Sequence, residues 1–199
     1  MADHYYSSSP EASHDRRQIT AELRNRKLVF ISDAGVFSKQ AIDFGSKVLI
    51  EAMEIQSADK VLDVGCGYGP IGLTAASMAI EGHVTMIDVN ERALNLASEN
   101  AKLNHIENVT VIQSDVYSAI PEEPRFDVIL TNPPIRAGKL VVHAVFEGAY
   151  SRLVLGGALW VVIQKKQGAP SAKEKLEEMF RFVEEVTKEK GYRIFKAVK

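Results

Sequence analysis

The chain has 199 residues, a formal net charge of −2 and a single cysteine. Its hydrophobic fraction of 46% is enough to build one folded core, and its near-neutral charge excludes a protein that is basic over its whole surface, so any RNA contact must use local patches. One cysteine excludes an internal disulfide framework and a cysteine-built zinc site, and we expect no metal site. Neither a signal peptide nor a bilayer-spanning stretch is found, so we expect a soluble, cytoplasmic protein.

The N-terminal part of the chain shows no regular alternation of strand and helix patterns. A strand is predicted at 27–32 and a helix at 46–55. The polar stretch 5–15 is predicted to be an arm that is mobile or becomes ordered on a partner. Basic side chains near it are candidates for phosphate contact or for an ordinary solvated surface: Arg16, Arg17, Arg24, Arg26 and Lys27.

From residue 60 onwards, predicted strands alternate with predicted helices. The strands are 60–65, 84–89, 109–115, 126–131 and 158–164, and the helices are 70–80, 91–103, 141–155 and 171–181. Gly156 and Gly157 are predicted to end the third of these helices, and Ser171 with Glu174 forms a predicted capping box for the fourth. Strands at 183–188 and 192–198 flank a turn and predict a closing hairpin. The pattern predicts an α/β fold with a doubly wound, mostly parallel sheet and one antiparallel strand.

Four successive predicted strands end on polar residues. Asp63 leads into a glycine-rich loop at 65–69, and the next three strands end at Asp88, Asp115 and Asn132. Ligands of open parallel sheets bind beyond the carboxyl ends of the strands. We therefore expect these side chains to line one rim, although each aspartate alone is equally typical of a turn.

The glycine loop permits close approach of a ligand to the backbone. Its sequence also matches GxGxxG, a pattern of dinucleotide-binding folds, and a plain tight turn is a further interpretation. A carboxylate at Asp63 would repel a pyrophosphate and suits an ammonium group. Asp88 can accept hydrogen bonds from two ribose hydroxyls, and Asp115 from an adenine amino group. Together the three acids favour S-adenosylmethionine over NAD as the cofactor.

Asn132 is followed by two prolines, which end the fourth strand abruptly. An amide or aromatic amine nitrogen is a poor nucleophile unless acceptors hold its N–H bonds, so that its lone pair can turn towards a methyl donor. The side-chain carbonyl of Asn132 and the backbone carbonyl of Pro133 are such acceptors, and the prolines restrict the loop in advance. A simple Asn-Pro turn is the alternative. No general base is required, so His143 is not predicted to be catalytic.

Two of these segments resemble motifs of a known enzyme class. VLDVGCGYG at 61–69 resembles the glycine-rich motif of class I S-adenosylmethionine-dependent methyltransferases, and TNPPI at 131–135 resembles the (D/N/S)PP(Y/F/W) motif of their amino-methylating members. Ile135 stands where many members carry an aromatic residue. Further stretches resemble the small-subunit ribosomal RNA guanine-N2 methyltransferases: GVFS at 35–38, DFGS at 43–46, DVNERAL at 88–94, NPPIRAGK at 132–139 and KKQGAPSAK at 165–173.

The resemblance implies a Rossmann-like methyltransferase fold with a seven-stranded sheet whose last strand is antiparallel. It implies an N-terminal arm and cofactor-covering extension at 1–55 and a methyltransferase domain at 56–199. Expected cofactor contacts are Asp63, Gly65, Cys66, Gly67, Asp88, Val89, Asp115, Val116 and Asn132. Expected catalytic groups are Asn132 and Pro133, and expected substrate contacts are Pro134, Ile135, Arg136 and Lys139.

The predicted function is methylation of an exocyclic amine, namely guanine N2 in small-subunit ribosomal RNA or a ribosomal particle. Arg136, Lys139, Lys165 and Lys166 are the predicted phosphate contacts at the rim. Three alternatives remain open: methylation of a protein glutamine amide, a non-catalytic RNA-binding or assembly factor, and an NAD-dependent enzyme. Neither DNA nor a membrane is an expected partner.

Overall fold

The computed structural model describes residues 12–123 and 125–199. Its strands are β1 (Arg17–Leu23), β2 (Arg26–Ser32), β3 (Lys60–Val64), β4 (His83–Asp88), β5 (Val109–Gln113), β6 (Phe126–Thr131), β7 (Leu153–Gln164), β8 (Phe182–Glu189) and β9 (Tyr192–Val198). Its α-helices are α1 (Phe44–Ala52), α2 (Pro70–Met78), α3 (Glu91–Leu103), α4 (Lys139–Arg152) and α5 (Ala169–Met179). None of these described helices is both long and apolar enough to cross a lipid bilayer.

The main sheet has seven strands in the order β5-β4-β3-β6-β7-β9-β8. The first five are parallel to one another, and β9 is antiparallel to both of its neighbours. The predicted fold is therefore confirmed. β3 and β6 lie side by side, but the chain continues from them towards opposite edges of the sheet. The loops that follow these two strands diverge, which leaves a crevice at the topological switch point.

The central strands β3, β6 and β7 are buried on both faces along most of their length, as expected for parallel strands between helices. Successive residues of β3 show the alternation, because Val61 packs into the core beneath α1, α2 and α3, whereas Leu62 packs into the core beneath α4 and α5. Leu73 of α2 and Phe146 of α4 are fully buried members of these two cores. The hydrophobic effect thus fixes both helical layers, and the carboxyl ends of the strands remain accessible.

β1 and β2 form a separate antiparallel hairpin, of which only the second strand was predicted. Arg24 and Asn25 both have positive φ, as a two-residue hairpin turn requires. The hairpin is held by α3, where the amides of Asn100 and Asn104 each bond to both the N–H and the C=O of a residue in β2. These side chains replace the missing neighbour strand.

The predicted arm at 5–15 lies largely outside the described residues. Of its last residues, His14 contacts the buried carboxylate of Asp33, and the N–H of Asp15 donates to the same group at 2.5 Å. The chain before β1 is therefore docked on the fold from at least His14 onwards.

Two predicted element boundaries are wrong. α4 ends at Arg152, before the glycine pair, and Gly156 and Gly157 lie within β7, where their backbones exchange hydrogen bonds with Lys199. The pairing of β6 with β7 shifts register at this point, and Gly156 has a positive φ that suits such a bulge. α5 begins at Ala169 after Gly168, without a side-chain cap, so Ser171 forms no capping box.

Candidate active site

A cavity of about 340 Å³ opens where β3, β4, β5 and β6 end. Most of the residues predicted for the site share its wall: Gly65, Cys66, Gly67, Asp88, Val89, Asp115, Val116, Asn132, Pro133 and Pro134. The side chains of Val141 and Val145 from α4 close one side. Four loops that are distant in sequence therefore meet around one volume, as the parallel strand order requires.

The glycine loop after β3 turns sharply between the strand and α2. Gly65 and Gly67 have φ values of 75° and 57°, and a Cβ atom on either would meet nothing within 4 Å. Glycine is therefore needed for the backbone conformation and not for space within the protein. The N–H groups of Gly65 and Cys66 both donate to the carbonyl of Ile87 at 2.9 Å. This anchors the loop to the end of β4 and leaves open space above it.

Asp88 ties the glycine loop to the loop after β4. Its Oδ2 accepts from the N–H of Gly67 at 2.8 Å, and its Oδ1 accepts from the N–H of Asn90 at 2.9 Å. Burial raises the pKa of this carboxyl, and the backbone N–H groups around it counteract the shift. Each carboxylate oxygen still has acceptor capacity, so Asp88 can bind a pair of hydroxyls at the cavity wall.

Asp63 lies behind the glycine loop and is not part of the cavity wall. Its side chain is fully buried against Gly72 and Met86 beneath α2. Neither oxygen has a partner of ordinary hydrogen-bond geometry among the described residues. The nearby N–H of Gly72 lowers the pKa of this carboxyl and so offsets part of the increase that burial causes. Burial, with the charge of Asp88, raises the pKa of Asp63 to about 7. The predicted direct contact with an ammonium group does not fit this position, because β3 directs Val64, and not Asp63, towards the cavity.

The loop after β5 places Asp115 on the cavity wall with an exposed side chain. The next residue, Val116, has a φ of 48°, which is a strained conformation for a β-branched residue. The hydroxyl of Ser114 donates to the carbonyl of Val116 at 3.0 Å, and the N–H of Asp115 donates to Ser118 Oγ at 3.1 Å. These bonds hold the strained backbone at the edge of the cavity.

Cys66 is the one cysteine of the chain, and it lies on the wall. Burial raises the pKa of its thiol well above the usual value, and the charges of Asp88 and Asp63 raise it further. Its Sγ lies 3.4 Å from the carbonyl of Gly67. A thiolate is strongly disfavoured here, so Cys66 acts as a packing residue and not as a nucleophile.

Asn132 is held by two residues that precede or begin α1. Its Nδ2 donates to Asp43 Oδ2 at 3.1 Å and to Ser46 Oγ at 3.0 Å. These bonds use both amide hydrogens, and no described group donates to the side-chain carbonyl oxygen. The hydroxyl of Thr131 also donates to the carbonyl of Val64 at 2.9 Å, which fixes the end of β6 against β3. The acceptor oxygen of Asn132 thus belongs to a rigid part of the cavity wall.

Pro133 is a weaker acceptor than predicted, because its carbonyl already accepts from the N–H of Ile135 at 2.8 Å. A carbonyl oxygen has two lone pairs and can accept a second bond.

Ile135 is not on the cavity wall and instead packs against the core beneath α4. Lys139 is exposed at the first turn of α4, and the placement of the Arg136 side chain is not described. The substrate contacts assigned to these residues therefore stay predictions.

The segment before α1 and the first turn of α1 contribute wall residues that were not predicted as site residues: Phe37, Ser38, Asp43 and Ser46. The hydroxyl of Tyr68 donates to the carbonyl of Ser38 at 3.3 Å, and Asn90 Nδ2 donates to that of Gly35 at 2.8 Å. Two loops of the cavity therefore support this segment. The available signal was the spacing of Asp43 and Ser46, which is typical of a helix N-cap.

His143 is not part of the wall, and its ring is stacked on Phe146 with 6.4 Å between the centroids.

Of the N-terminal cations, Arg16 is in an ion pair with Glu99, and Arg17 with Asp15. Such pairing disfavours these two arginines as phosphate contacts.

Three exposed lysines lie together at the same end of the sheet as the cavity. Lys165 and Lys166 follow β7, and Lys190 lies in the β8–β9 turn. The two loops are joined because the N–H of Lys165 donates to the carbonyl of Gly191 at 2.7 Å. The ammonium group of Lys190 lies 4.6 Å from the ring centroid of Phe44, which is adjacent in sequence to Asp43. No carboxylate of the described residues forms an ion pair with any of the three lysines.

A model of the methyltransferase small domain family matches residues 27–196. Among curated proteins, YbxB of Bacillus subtilis is 54% identical over 200 residues and is covered over 100% of both chains. The ribosomal RNA small subunit methyltransferase C of Erwinia tasmaniensis is 33% identical over 169 residues, which are 83% of this chain and 48% of the relative.

Among solved structures, the T. thermophilus 16S rRNA N2 G1207 methyltransferase (RsmC), in complex with AdoMet and guanosine, superposes with a TM-score of 0.83 and 27% identity. The match covers 96% of this chain and 52% of that chain. TYW2 of M. jannaschii, solved with AdoMet, has a TM-score of 0.62 at 18% identity, and the match covers 93% of this chain and 86% of that chain. At this identity, the match shows a similarity of fold alone. The chain thus spans all of the Bacillus relative but about half the length of the ribosomal RNA methyltransferases it matches.

Proposed function

Because this chain belongs to the methyltransferase small domain family, we propose that it transfers a methyl group from S-adenosylmethionine to the exocyclic N2 amine of guanine in small-subunit ribosomal RNA. Three kinds of observation support the proposal. The fold and the family support the cofactor class, and the relatives named as ribosomal RNA methyltransferases support the substrate class. The cavity supports the chemistry, as follows.

The residues present fit S-adenosylmethionine. The open space above Gly65 and Gly67 admits a ligand against the backbone, and Asp88 has acceptor capacity for two ribose hydroxyls. Asp115 presents an exposed carboxylate for an adenine amino group. Asp63 is a buried acid without an ordinary hydrogen-bond partner in the described chain, and a positively charged ligand in front of the loop would favour its ionised form. When bound, the cofactor supplies an electrophilic methyl group on a positively charged sulfur.

The observation that carries the proposal is the fixed amide of Asn132. Its two hydrogens are bound by Asp43 and Ser46, so its carbonyl oxygen is the atom available to an incoming amine. An amine whose N–H bonds point at this oxygen and at the carbonyl of Pro133 directs its lone pair away from them. The amine protons become more acidic as the nitrogen gains positive charge, so the acceptors strengthen their hold as the reaction proceeds.

An RNA acceptor is supported by the three exposed lysines beside the cavity. Phosphates flanking a target nucleotide would meet Lys165, Lys166 and Lys190, none of which is neutralised by a described carboxylate. Residues 1–55 would then serve as the arm and the cofactor-covering extension of a methyltransferase domain at 56–199. The presence of Phe37 and Ser38 on the cavity wall supports this division of roles.

The proposal can be tested with the purified protein and methyl-labelled S-adenosylmethionine. The acceptors are small ribosomal subunits, RNA extracted from them, and total protein, all from cells that lack this protein. We expect label in the small-subunit RNA, recovered as N2-methylguanosine after digestion to nucleosides. Asn132→Ala protein serves as the inactive control.

Each alternative predicts a different result. Label in the protein fraction would indicate a glutamine amide as the acceptor and would refute the RNA substrate. RNA binding without transfer to any fraction would indicate a non-catalytic factor. Methylation of a different base would leave the chemistry intact but overturn the assignment to guanine N2.

A further inference from the structure

We propose that Asp43 is a positioning residue, which fixes the side-chain amide of Asn132 so that its carbonyl oxygen faces the target amine. The inference rests on the function proposed above. It concerns a residue 89 positions away in sequence, in a segment to which that function assigns only a covering role.

The orientation of the Asn132 amide is decided by its two partners. Asp43 Oδ2 lies 3.1 Å and Ser46 Oγ 3.0 Å from Asn132 Nδ2. A serine hydroxyl can donate as well as accept, so Ser46 tolerates either orientation of the amide. An ionised carboxylate only accepts, and a flipped amide would bring two acceptor oxygens together. Asp43 is therefore the group that excludes the flipped orientation.

Asp43 is itself held in place before any substrate binds. It is the N-cap of α1, and the same Oδ2 atom accepts from the N–H of Ser46 at 3.0 Å. Gly45 lies two residues after Asp43, and a Cβ atom there would lie 2.7 Å from the ring of Tyr192 and 3.0 Å from Asp43 Oδ2. The close packing of β9 against this turn thus requires a glycine and leaves the carboxylate little freedom to move.

The arrangement has a consequence for the reacting amine. Asn132 needs no reorientation when the substrate arrives, because its acceptor is already aimed at the cavity. The negative charge of Asp43 also polarises the amide and increases the electron density on its carbonyl oxygen. Both effects act on the transition state, in which the amine hydrogens carry the most positive charge.

Asp43→Ser is the informative variant, because serine is a good N-cap but its hydroxyl is too short to reach Asn132. We expect kcat to fall by roughly 10- to 100-fold, the range for a misplaced catalytic group, with KM and the affinity for S-adenosylhomocysteine nearly unchanged. The loss of the bond to Asn132 should lower the Tm by no more than about 4 °C, because one hydrogen bond makes only a small net contribution to stability. Asp43→Asn is the conservative variant. Its carbonyl can take the place of Oδ2 and accept both bonds, so most of the activity should return.

A matched control and a double-mutant cycle separate positioning from a general structural role. Asp127 accepts a backbone N–H from Lys60 at 2.8 Å at the opposite end of the sheet, and Asp127→Ser should leave kcat unchanged. If Asp43 acts through Asn132, then Asp43→Ser should have little further effect on kcat in the Asn132→Ala background.

The possible results distinguish this inference from the proposed function. Additive losses in the cycle, or an Asp43→Ser enzyme with wild-type kcat, would overturn the positioning role alone. A wild-type rate for Asn132→Ala, or no methyl transfer by the wild-type protein to any fraction, would overturn the proposed function, and the role of Asp43 would fall with it.

Discussion

Replacement of Asn132 by alanine tests the assigned chemistry most directly. The variant removes one preorganised acceptor from the reacting centre, and losses of this kind lower kcat by roughly 10²–10³, which corresponds to about 2.7–4 kcal/mol of transition-state stabilisation. Asn132 is also an expected cofactor contact, but its amide hydrogens are bound by Asp43 and Ser46, and we assign its carbonyl oxygen to the target amine. The affinity for S-adenosylhomocysteine should therefore be nearly unchanged.

The structure also predicts a cost in stability for this variant. The Asn132 amide joins the end of β6 to the first turn of α1 through bonds to Asp43 and Ser46. Asn132 is partly exposed, so water can replace part of what is lost, and we expect a destabilisation of about 1–2 kcal/mol. For a chain of this size, that corresponds to a decrease in Tm of about 2–8 °C.

The assay combines single-turnover methyl transfer, calorimetric binding of S-adenosylhomocysteine and thermal unfolding. A wild-type rate of transfer would refute the role of Asn132 as an acceptor, since the Asn-Pro sequence would then be only a turn. A large loss of cofactor affinity would also contradict it, because the amide would then bind the cofactor and not the acceptor.

Asn132→Asp gives a sharper comparison. The substitution keeps an acceptor oxygen but places a second carboxylate 3.1 Å from the position of Asp43 Oδ2. Two carboxylates at this distance cannot both ionise readily, so one of them retains a proton to a higher pH than usual. We expect partial activity that decreases as the pH rises through this shared titration, whereas the wild-type rate should not show that dependence.

Three further predictions concern the cofactor, the RNA and the dependence of stability on pH. Asp88→Ala should weaken binding of S-adenosylhomocysteine by about 1.5–3 kcal/mol in calorimetry, the range for hydrogen bonds to a charged group; an unchanged affinity would exclude the predicted ribose contact. Replacement of Lys165, Lys166 and Lys190 by alanine should weaken RNA binding and reduce the slope of log K against log salt by up to about 2, since each phosphate contact on a single strand contributes about 0.7. An unchanged slope would mean that these side chains do not contact phosphates. Burial raises the pKa of Asp63 from its usual value of 3.8 to about 7, so the folded state binds the proton of this carboxyl more tightly than the unfolded chain does. The stabilisation from this proton is fully present below pH about 4 and is lost as the pH rises to about 7, by at most about 4 kcal/mol. Unfolding titrations of Asp63→Asn should lack this decrease, and an identical pH profile would contradict the assigned burial.

Several features of the fold were determined by the sequence alone, because they depend on local signals. The alternating hydrophobic periods define the strands and helices of the main sheet, and the rule that parallel strands place their carboxyl ends on one rim brings Asp88, Asp115 and Asn132 together. The glycines at 65 and 67 mark a backbone with positive φ, whatever its surroundings. These signals were sufficient for the sheet, for the position of the cavity and for the family.

Other features depend on contacts that no local pattern records. β1 was missed because it is determined by its pairing with β2, which the asparagine amides of α3 hold in turn, and not by its own composition. Asp63 has the same sequence signal as Asp88, yet the pleat of β3 and the passage of α2 above it bury the carboxylate behind the wall. The orientation of Asn132 is decided by Asp43 across 89 residues, because the packing of α1 over the sheet brings an N-cap carboxylate to the end of β6. An amide has two nearly equivalent ends, and only the tertiary structure shows which end faces the cavity.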